Sequence, residues 1–479
     1  YARRAGGGGG RVPAGAAQHA IGGVYTQDTV RRLVAYAEQR GITIVPEIEM
    51  PGHASAPIVA YPQLASTDDP PREVPSDWGV YRNLYNVEES TFAFLEDVLE
   101  EVIALFPSHY IHIGGDEAVK DQWKSSPRIQ ERMRELGVED EAKLQSYFVR
   151  RIEQFLSARG RRLIGWDEIL EGGIAPDATV MSWRGIDGAV AAARSGHDAV
   201  LSPWPTLYFD NRQSADQLPP GRGRVLPIEE IYAFDPLPPA LTAEENAHIL
   251  GLQGNVWTEH IRTEERVEYM TWPRGAAIAE IGWSPHERRD VRGFLDRLGP
   301  QFARYRALGV RSAEVLFQKK PDNAQPLARK TSQQLKLCSD RLVLSLEDDA
   351  PVDGDRAVFL IDIMNPCWID PAVDLTHGAT LQAAVGQLPF NFQIGDDVNK
   401  IELLPPATPE GELLVFAGGC EGPRIASLPL ASAASQQGVT ELPAVTLEPR
   451  AGGPQDLCFR FTQRSVDPMW AVRWIEIRP

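Results

Sequence analysis

From about residue 25 onward, short apolar runs alternate with segments whose apolar residues recur at helical spacing. The first helical segment follows Thr26, a suitable N-cap, and Gly41 ends it. The apolar run after it, GITIVPEIEM, is rich in β-branched residues and predicts a buried strand. Repetition of this helix–strand unit predicts parallel strands joined by helices, which close into a barrel or stack as a doubly wound sheet.

The pattern predicts six strands in all, and polar or aromatic residues follow nearly every one. The predicted strands lie in the segments GITIVPEIEM, HYIHI, RRLIGW, ATVMSW, HDAVLSPW and ILGLQGNVW. Helices are predicted between them, among them one from Phe92 to Leu105 and one through Tyr269 to Ile281. The rim formed by the carboxyl ends of the strands carries the active site of a (β/α)8 barrel, whereas a doubly wound sheet usually carries a glycine-rich phosphate loop, which does not occur here. We therefore predict a (β/α)8-type TIM barrel with six βα units in this chain. We expect the other two units either to precede Tyr25 or to be absent from this chain.

Beyond Phe317 the pattern changes to short apolar or alternating runs separated by Pro, Gly and Asp, without long helical periods. This texture predicts an all-β sandwich of antiparallel strands. We divide the chain into a flexible glycine-rich start at 1–24, a barrel at 25–316 and a β-sandwich at 317–479, with the linker in QKKPDNAQPLARK.

The net charge and the cysteine pattern restrict the classes of ligand and metal that the protein can bind. Lys plus Arg number 48 against 66 for Asp plus Glu, which gives a formal net charge of −18. Such a surface repels nucleic acid and anionic membranes, and no apolar run is long enough to span a bilayer, so sugars or other neutral small molecules fit better. The 4 Cys lack C-x-x-C spacing, so we predict no metal site; two disulfides or four buried thiols both remain open.

The strand HYIHI runs directly into Gly114, Gly115, Asp116 and Glu117. Adjacent side chains of a regular strand point to opposite faces, but a glycine bend at the strand end allows both carboxylates to enter one pocket. Two neighbouring carboxylates repel, so that one stays protonated and serves as a general acid. The alternative is that Asp116 caps a helix and Glu117 favours its first turn.

Aromatic residues near other strand ends favour the catalytic interpretation. Trp166, Trp183 and Trp257 each lie at or just past a predicted strand, and Tyr208 lies on the same rim. One such tryptophan would be ordinary core, but three on one rim indicate an apolar cage for the flat C–H face of a sugar ring.

Polar residues of the same rim are suited to binding hydroxyl groups. Asp210 and Glu259 would accept hydrogen bonds from a sugar, or else they are solvated loop charges. His53 follows the first strand after a Pro-Gly turn and is a weaker candidate, while His109 and His112 are interpreted as structural.

The ordered segments PEIEMPGH, HIGGDEAVKDQW, GWDEIL, MSWRG, LYFD and GNVWTE closely resemble the β-N-acetylhexosaminidases of glycoside hydrolase family twenty. The resemblance covers residues 21 to 316, and a looser one links the end of the chain to the sandwich module of some bacterial members. It implies a retaining exo-hydrolase, without cofactor, that removes terminal β-linked N-acetylglucosamine or N-acetylgalactosamine with the help of the substrate's own acetamido group.

The resemblance also implies a role for each site residue. Glu117 would be the general acid and base, and Asp116 would orient the acetamido N–H. The three tryptophans would wall the acetamido pocket and the ring, while Tyr208 would hold the acetamido carbonyl. Asp210 and Glu259 would bind sugar hydroxyls, and His53 would position the acid network.

This sequence departs from the family at several positions. Glu49 stands where an Asp usually precedes M-P-G-H, and the sugar-gripping Arg and the H-x-T-D-D-type segment of the first two strands do not occur. We therefore expect an N-terminally truncated sequence, exported in its full form to a bacterial periplasm or outside the cell. Two alternatives stay open, a lacto-N-biosidase-type enzyme and a non-catalytic or inactive carbohydrate-binding protein. The sandwich would be either a carbohydrate-binding or a packing module.

Overall fold

The computed structural model describes nine segments of the chain: residues 2–4, 20–22, 24–75, 78–214, 221–317, 329–347, 357–390, 392–436 and 438–478. Most of the predicted flexible start and most of the predicted linker lie outside these residues. Within the start, Ala2–Arg4 and Ala20–Gly22 form an antiparallel pair of strands that the sequence did not predict. Among the described residues, no helix is long and apolar enough to cross a lipid bilayer.

The N-terminal two thirds contain most of the helices and ten strands. The helices are α1 (Gln27–Glu38), α2 (Ser55–Ala60), α3 (Glu89–Leu105), α4 (Asp121–Ser125), α5 (Pro127–Leu136), α6 (Glu141–Ser157), α7 (Asp187–Arg194), α8 (Ile228–Tyr232), α9 (Ala243–Asn246), α10 (Glu264–Thr271), α11 (Arg274–Trp283) and α12 (Val291–Ala307). The strands are β1 (Ala2–Arg4), β2 (Ala20–Gly22), β3 (Trp78–Gly79), β4 (Tyr110–His112), β5 (Arg162–Trp166), β6 (Thr179–Ser182), β7 (Ala199–Leu201), β8 (Asn211–Arg212), β9 (Gly221–Val225) and β10 (Ile249–Leu252).

A parallel sheet in the order β10-β7-β6-β5-β4 forms the centre of this region. Its strands are the predicted ones, and the segment before Pro51 extends the sheet beside β4: the N–H groups of Ile48 and Met50 donate to His112 and Ile113 at 2.9 and 3.0 Å. Only Glu47 forms a bridge there, because Pro46 has no N–H to donate to a ladder. All these strands present their carboxyl ends at the same edge of the sheet.

Helices α3 and α6 cover one face of this sheet. Phe92 and Leu99 of α3 pack with Phe148 and Ile152 of α6, and all four are fully buried. Burial of such side chains contributes about 1.5–3 kcal/mol each, so this shared core fixes the sheet against its helices. The predicted helix from Phe92 to Leu105 is confirmed.

Two predicted helices differ from the expectation in detail. The segment from Tyr269 to Ile281 is not one helix: α10 ends before Trp272 and α11 begins after Pro273, because proline cannot donate the hydrogen bond that would continue α10. Helix α1 has its predicted N-cap, with the Thr26 hydroxyl accepting from Thr29, but Ala37 is its only buried residue.

The C-terminal third is built from strands, as the sequence predicts. They are β11 (Arg329–Thr331), β12 (Lys336–Leu337), β13 (Val343–Glu347), β14 (Val358–Asp362), β15 (Cys367–Val373), β16 (Ala379–Leu388), β17 (Phe392–Gln393), β18 (Glu412–Ala417), β19 (Arg424–Pro429), β20 (Thr440–Glu441), β21 (Val445–Leu447), β22 (Gln455–Phe461) and β23 (Met469–Arg478), with one short helix, α13 (Ala431–Ala434). One five-stranded antiparallel sheet is formed by β12-β15-β22-β18-β19, and another is centred on β16 and β23. Trp368 and Phe459 of the first sheet share a buried core with Val385 and Ile475 of the second.

The predicted boundary near residue 317 is crossed by backbone pairing. Strand β9, which follows the central sheet in the chain, pairs with β13, so that Arg222 faces Leu344. Two arginines near the barrel rim, Arg262 and Arg266, contact the carboxylate of Glu347 at 3.0 and 2.9 Å. The two regions are therefore joined through the rim that carries the candidate site.

Candidate active site

The centre of the site is the turn Gly114–Glu117 at the carboxyl end of β4. Gly114 and Gly115 have φ of 70° and 96°, and Glu117 also adopts a positive φ of 48°. A β-carbon on Gly114 would lie 2.0 Å from the Glu49 carboxylate, so only glycine fits at this bend. The bend interrupts the alternation of a strand and brings the Asp116 and Glu117 side chains to the same place, as predicted.

His53 joins the two carboxylates. Its Nε2 lies 3.4 Å from Asp116 Oδ2 and 3.4 Å from Glu117 Oε2. Hydrogen bonds to Asp116 and then to Glu117 raise the pKa of His53 to about 10, so the ring is an imidazolium cation at neutral pH. The weaker histidine candidate is thus in direct contact with both acids, and the sequence signal for it was its place after the Pro-Gly turn.

Glu49 is a member of the site that was not among the predicted site residues. Its Oε1 accepts a hydrogen bond of 3.0 Å from the N–H of Gly115. Burial, followed by the nearby charge of Asp116, raises the pKa of Glu49 to about 10. The raised pKa favours the neutral carboxylic acid at Glu49, a form that adds no second negative charge beside Asp116.

Two of the predicted tryptophans form one aromatic wall. The rings of Trp166 and Trp257 lie 6.1 Å apart at an interplanar angle of 45°. The backbone N–H of Trp166 donates to Gly114 and its indole N–H donates to Glu47 Oε1, at 2.8 and 2.9 Å. Trp166 is buried, whereas Trp257 is 38% exposed, so that its ring is accessible from solvent.

Trp183 is held by acidic residues of the GWDE segment. Its indole N–H donates to Glu168 Oε2 at 2.9 Å, and its backbone N–H donates to Asp167 at 3.1 Å. Asp167 also accepts from Arg184, which fixes the loop between β6 and α7. Burial raises the pKa of Glu168 to about 7. Glu168 is a second residue of the site that was not predicted.

Tyr208 and Asp210 lie on a buried turn between β7 and β8. The Tyr208 hydroxyl is within hydrogen-bonding reach of the Asn255 and Trp257 side chains, and burial raises its pKa, so it remains a hydrogen-bond donor. Burial also raises the pKa of Asp210, to about 6, against the opposing charge of Arg222 at 2.6 Å.

The partially buried Glu259 acts on Asp210 by charge, and thus belongs to the same corner of the site. Arg222 was not predicted, because it reaches Asp210 from β9, whose position depends on its pairing with the distant β13.

The structure thus brings the predicted residues into two groups, and the members of each group contact one another. His53, Asp116 and Glu117 are in mutual contact, and Tyr208 links Asp210 to Trp257, which faces Trp166. Trp183 packs on the small cluster that contains Trp166. Paired carboxylates beside exposed and buried tryptophans, at the carboxyl edge of a parallel βα sheet, are typical of the active sites of barrel enzymes that act on carbohydrates.

Comparison with known families agrees with this class. Residues 6–286 match the model described as "Glycosyl hydrolase family 20, catalytic domain". The chain belongs to glycosyl hydrolase family 20, and the matched region is a catalytic domain of the TIM-barrel type.

Named relatives cover the same region. The chain is 49% identical over 281 residues to a "Beta-hexosaminidase" of Porphyromonas gingivalis, covering 58% of this chain and 36% of that protein. It is 37% identical over 273 residues to a "Beta-hexosaminidase" of Vibrio furnissii, covering 54% and 44%. A solved exo-β-N-acetylglucosaminidase of Vibrio harveyi in complex with N-acetylglucosamine is similar with a TM-score of 0.56 at 34% identity, covering 64% of this chain and 48% of that one. The chain therefore spans less than half the length of these relatives.

Proposed function

We propose that this chain supplies the catalytic domain of a β-N-acetylhexosaminidase, which removes terminal non-reducing β-linked N-acetylhexosamine with retention of configuration. The observation that carries the proposal is the convergence of Asp116, Glu117 and His53 Nε2 at the bend after β4. The substrates would be glycans that end in N-acetylglucosamine or N-acetylgalactosamine.

In the proposed reaction the substrate's acetamido oxygen is the nucleophile. Glu117 protonates the leaving glycosidic oxygen while the acetamido oxygen forms a bond to the anomeric carbon, and an oxazolinium ion results. Glu117, now a carboxylate, removes a proton from water. The water oxygen attacks the anomeric carbon, and the bond from that carbon to the acetamido oxygen breaks, which opens the oxazolinium ring. Asp116 accepts a hydrogen bond from the acetamido N–H and stabilises the positive charge that develops on the acetamido group.

The remaining residues would hold the sugar in the geometry of attack. Tyr208 would donate a hydrogen bond from its hydroxyl to the acetamido carbonyl, because its raised pKa keeps the hydroxyl protonated. The rings of Trp166, Trp183 and Trp257 would pack on apolar faces of the acetamido group and sugar. Asp210 and Glu259 would accept hydrogen bonds from sugar hydroxyls, with Arg222 fixing the Asp210 carboxylate.

We propose that residues 25–316 are the catalytic barrel, with six βα units in this chain, and that residues 317–479 are a separate β-sandwich with a packing role. The pairing of β9 with β13 and the contacts of Glu347 support packing over glycan binding. We also propose export to a bacterial periplasm or the cell exterior, a compartment in which the four cysteines would stay in their paired, oxidised form.

The direct test is turnover of aryl N-acetyl-β-glucosaminide by the wild type and by the variants Glu117→Gln and Asp116→Ala. Loss of the general acid should lower kcat by about 10²–10⁴-fold, whereas Glu135→Gln on the exposed face of α5 should leave it unchanged. Azide added to Asp116→Ala should give no glycosyl azide of inverted configuration, because Asp116 forms no covalent intermediate. An inverted azide product would show that Asp116 is the nucleophile and would contradict the proposal.

Each alternative function predicts a different combination of binding and aryl-group release. A wild-type chain that binds N-acetylglucosamine in calorimetry but releases no aryl group would be a carbohydrate-binding protein. Release from an aryl lacto-N-bioside together with no release from the monosaccharide would show the disaccharide-specific activity.

A further inference from the structure

Four cysteine sulfurs of the C-terminal region converge on one point, far along the chain from the active-site motifs. The structure pairs Cys338 with Cys367 and Cys420 with Cys458. The Sγ atoms of all four cysteines nevertheless lie within 4.8 Å of one another. Across the two disulfides, Cys367 lies 3.3 Å from Cys420 and 3.4 Å from Cys458, and Cys338 lies 3.4 Å from Cys420.

The four sulfurs come from four neighbouring strands of one sheet. Cys338 directly follows β12, Cys367 begins β15, Cys458 lies within β22 and Cys420 follows β18 in a glycine turn. The ladder places Cys458 opposite Ile369, so that Cys458 is two positions from the partner of Cys367 and on the same face of the sheet.

This face is opposite the one that fills the shared core. Trp368 and Phe459, which alternate with Cys367 and Cys458 along their strands, lie in that core. The cysteines therefore do not serve to fill the core between the two sheets. Cys367 and Cys458 are nonetheless buried, while Cys338 and Cys420 are half-buried and leave the cluster accessible from one side.

A tetrahedral metal site requires this kind of convergence, whereas two independent disulfides do not. With zinc–sulfur bonds of about 2.3 Å, the edges of a tetrathiolate tetrahedron are about 3.8 Å long. The three measured contacts across the disulfides are within half an ångström of that edge. Cleavage of the two S–S bonds would let the bonded sulfurs separate to the same spacing by rotation of the cysteine side chains.

We infer that Cys338, Cys367, Cys420 and Cys458 are the ligands of a tetrathiolate Zn²⁺ site, of which the two disulfides are the oxidised form. A phosphine or dithiol reductant supplies four electrons, and four protons from solvent convert the two disulfides into four thiols. Binding of one Zn²⁺ then forms four Zn–S bonds and releases four protons. This inference is independent of the proposed hydrolase activity, and it revises the sequence-based expectation of no metal site.

The test uses the full chain, reduced with a phosphine under anaerobic conditions and freed of metal with a chelator. Addition of Zn²⁺ should give one ion per chain by elemental analysis. Co²⁺ in its place should give a thiolate-to-cobalt charge-transfer band and the intense visible bands of a tetrahedral site. The unreduced protein should bind neither ion at this site, and a two-electron oxidant should release bound Zn²⁺ as four thiols are lost.

Variants locate the metal. Cys338→Ser and Cys420→Ser, at the accessible side of the cluster, should each weaken Zn²⁺ binding at least about tenfold. Two other groups of described residues could hold a cation: His53, Asp116 and Glu117, and Glu47, Glu49 and Asp116. Asp116→Asn with Glu117→Gln removes carboxylates from both groups and should leave the cobalt spectrum unchanged. The inference is overturned if the reduced wild type binds no stoichiometric Zn²⁺, or if bound Co²⁺ shows no thiolate band. Because both of these readings are made on the wild type, the test holds even if a cysteine variant fails to fold.

Discussion

Among the described residues, three that are not glycine have a positive φ, and two of them, His53 and Glu117, belong to the site. A left-handed backbone at such residues costs of order 1–3 kcal/mol, and it persists only where surrounding contacts stabilise it. At His53 and Glu117 this conformation places Nε2 and the carboxylate in contact. The backbone conformation at the end of β4 thus places the carboxylates of the adjacent residues Asp116 and Glu117 in one pocket.

Gly114 provides a test of this backbone requirement. Gly114→Ala should abolish detectable turnover, because its β-carbon would occupy the position of the Glu49 carboxylate and displace it from Gly115. The matched control is Gly137→Ala, at a similar φ of 66° but with open space around the new β-carbon. Gly137→Ala should lower the free energy of unfolding by about 1 kcal/mol and leave kcat unchanged. Equal activity of the two variants would refute the role of Gly114.

The charge of His53 gives a prediction about pH. Because its pKa is raised to about 10, the imidazolium form stabilises the folded protein fully below pH 6.5, and this contribution is lost as pH rises through about 10. In NMR spectra of protein labelled at histidine, the His53 signals should keep their protonated positions up to that pH. The Asp116→Asn and Glu117→Gln double variant should titrate at lower pH. His53→Gln assigns the signals, and a wild-type midpoint near 6.5 would be incompatible with the described contacts.

The motifs predicted Asp116, Glu117 and the tryptophans because local signals mark them: a double glycine at a strand end, and aromatic residues after apolar runs. Glu49 and Glu168 lie within the motifs PEIEMPGH and GWDEIL, but these motifs assigned them no role, since their effect depends on burial and on which N–H groups they meet. Arg222 could not be predicted from nearby sequence, because the partner of its strand is more than a hundred residues away.

At the scale of elements, apolar periodicity predicted the strands of the central sheet and helices such as α3 well. The pattern failed where one residue overrides it, as Pro273 does in dividing α10 from α11. The sequence also predicted a boundary near residue 317, but it did not predict that two strands pair across this boundary. Pairing of β9 with β13 depends on register between distant strands, which periodicity does not encode.

The ion pairs at that bridge should contribute to stability. Burial alone would raise the pKa of Glu347, but hydrogen bonds from Arg266 and Arg262 outweigh it and hold the pKa below its ordinary value. Glu347→Gln should therefore lower the free energy of unfolding by about 1–3 kcal/mol at pH 7, measured by urea denaturation. The difference should vanish in acid, because a lowered pKa gives a contribution that is lost as pH falls through it.

Glu314→Gln is the control for this effect. Glu314 pairs with Arg306, whose side chain is 59% exposed, and such surface pairs contribute less than about 1 kcal/mol. If both variants lose equal stability, the contacts of Glu347 do not join the two regions more strongly than an ordinary surface pair.

At the scale of the whole molecule, the excess of acidic residues and the geometry of the site are both compatible with the neutral sugar that we propose as ligand. The same barrel rim carries the acids, the aromatic wall and the strand that pairs with the C-terminal region. Arg222 on β9 holds the Asp210 carboxylate, and β9 in turn pairs with β13 of the C-terminal region. Under the proposed function, the C-terminal region would therefore support sugar binding through this pairing.

The proposed mechanism requires the substrate's acetamido oxygen to attack the anomeric carbon. Its most direct test is kcat/KM for a series of aryl β-glucosaminides whose N-acetyl group carries zero, one, two or three fluorine atoms. Fluorine withdraws electrons from the carbonyl oxygen, so kcat/KM should fall stepwise, by about a hundredfold or more across the series. A series with unchanged kcat/KM would contradict substrate assistance and would favour a protein nucleophile.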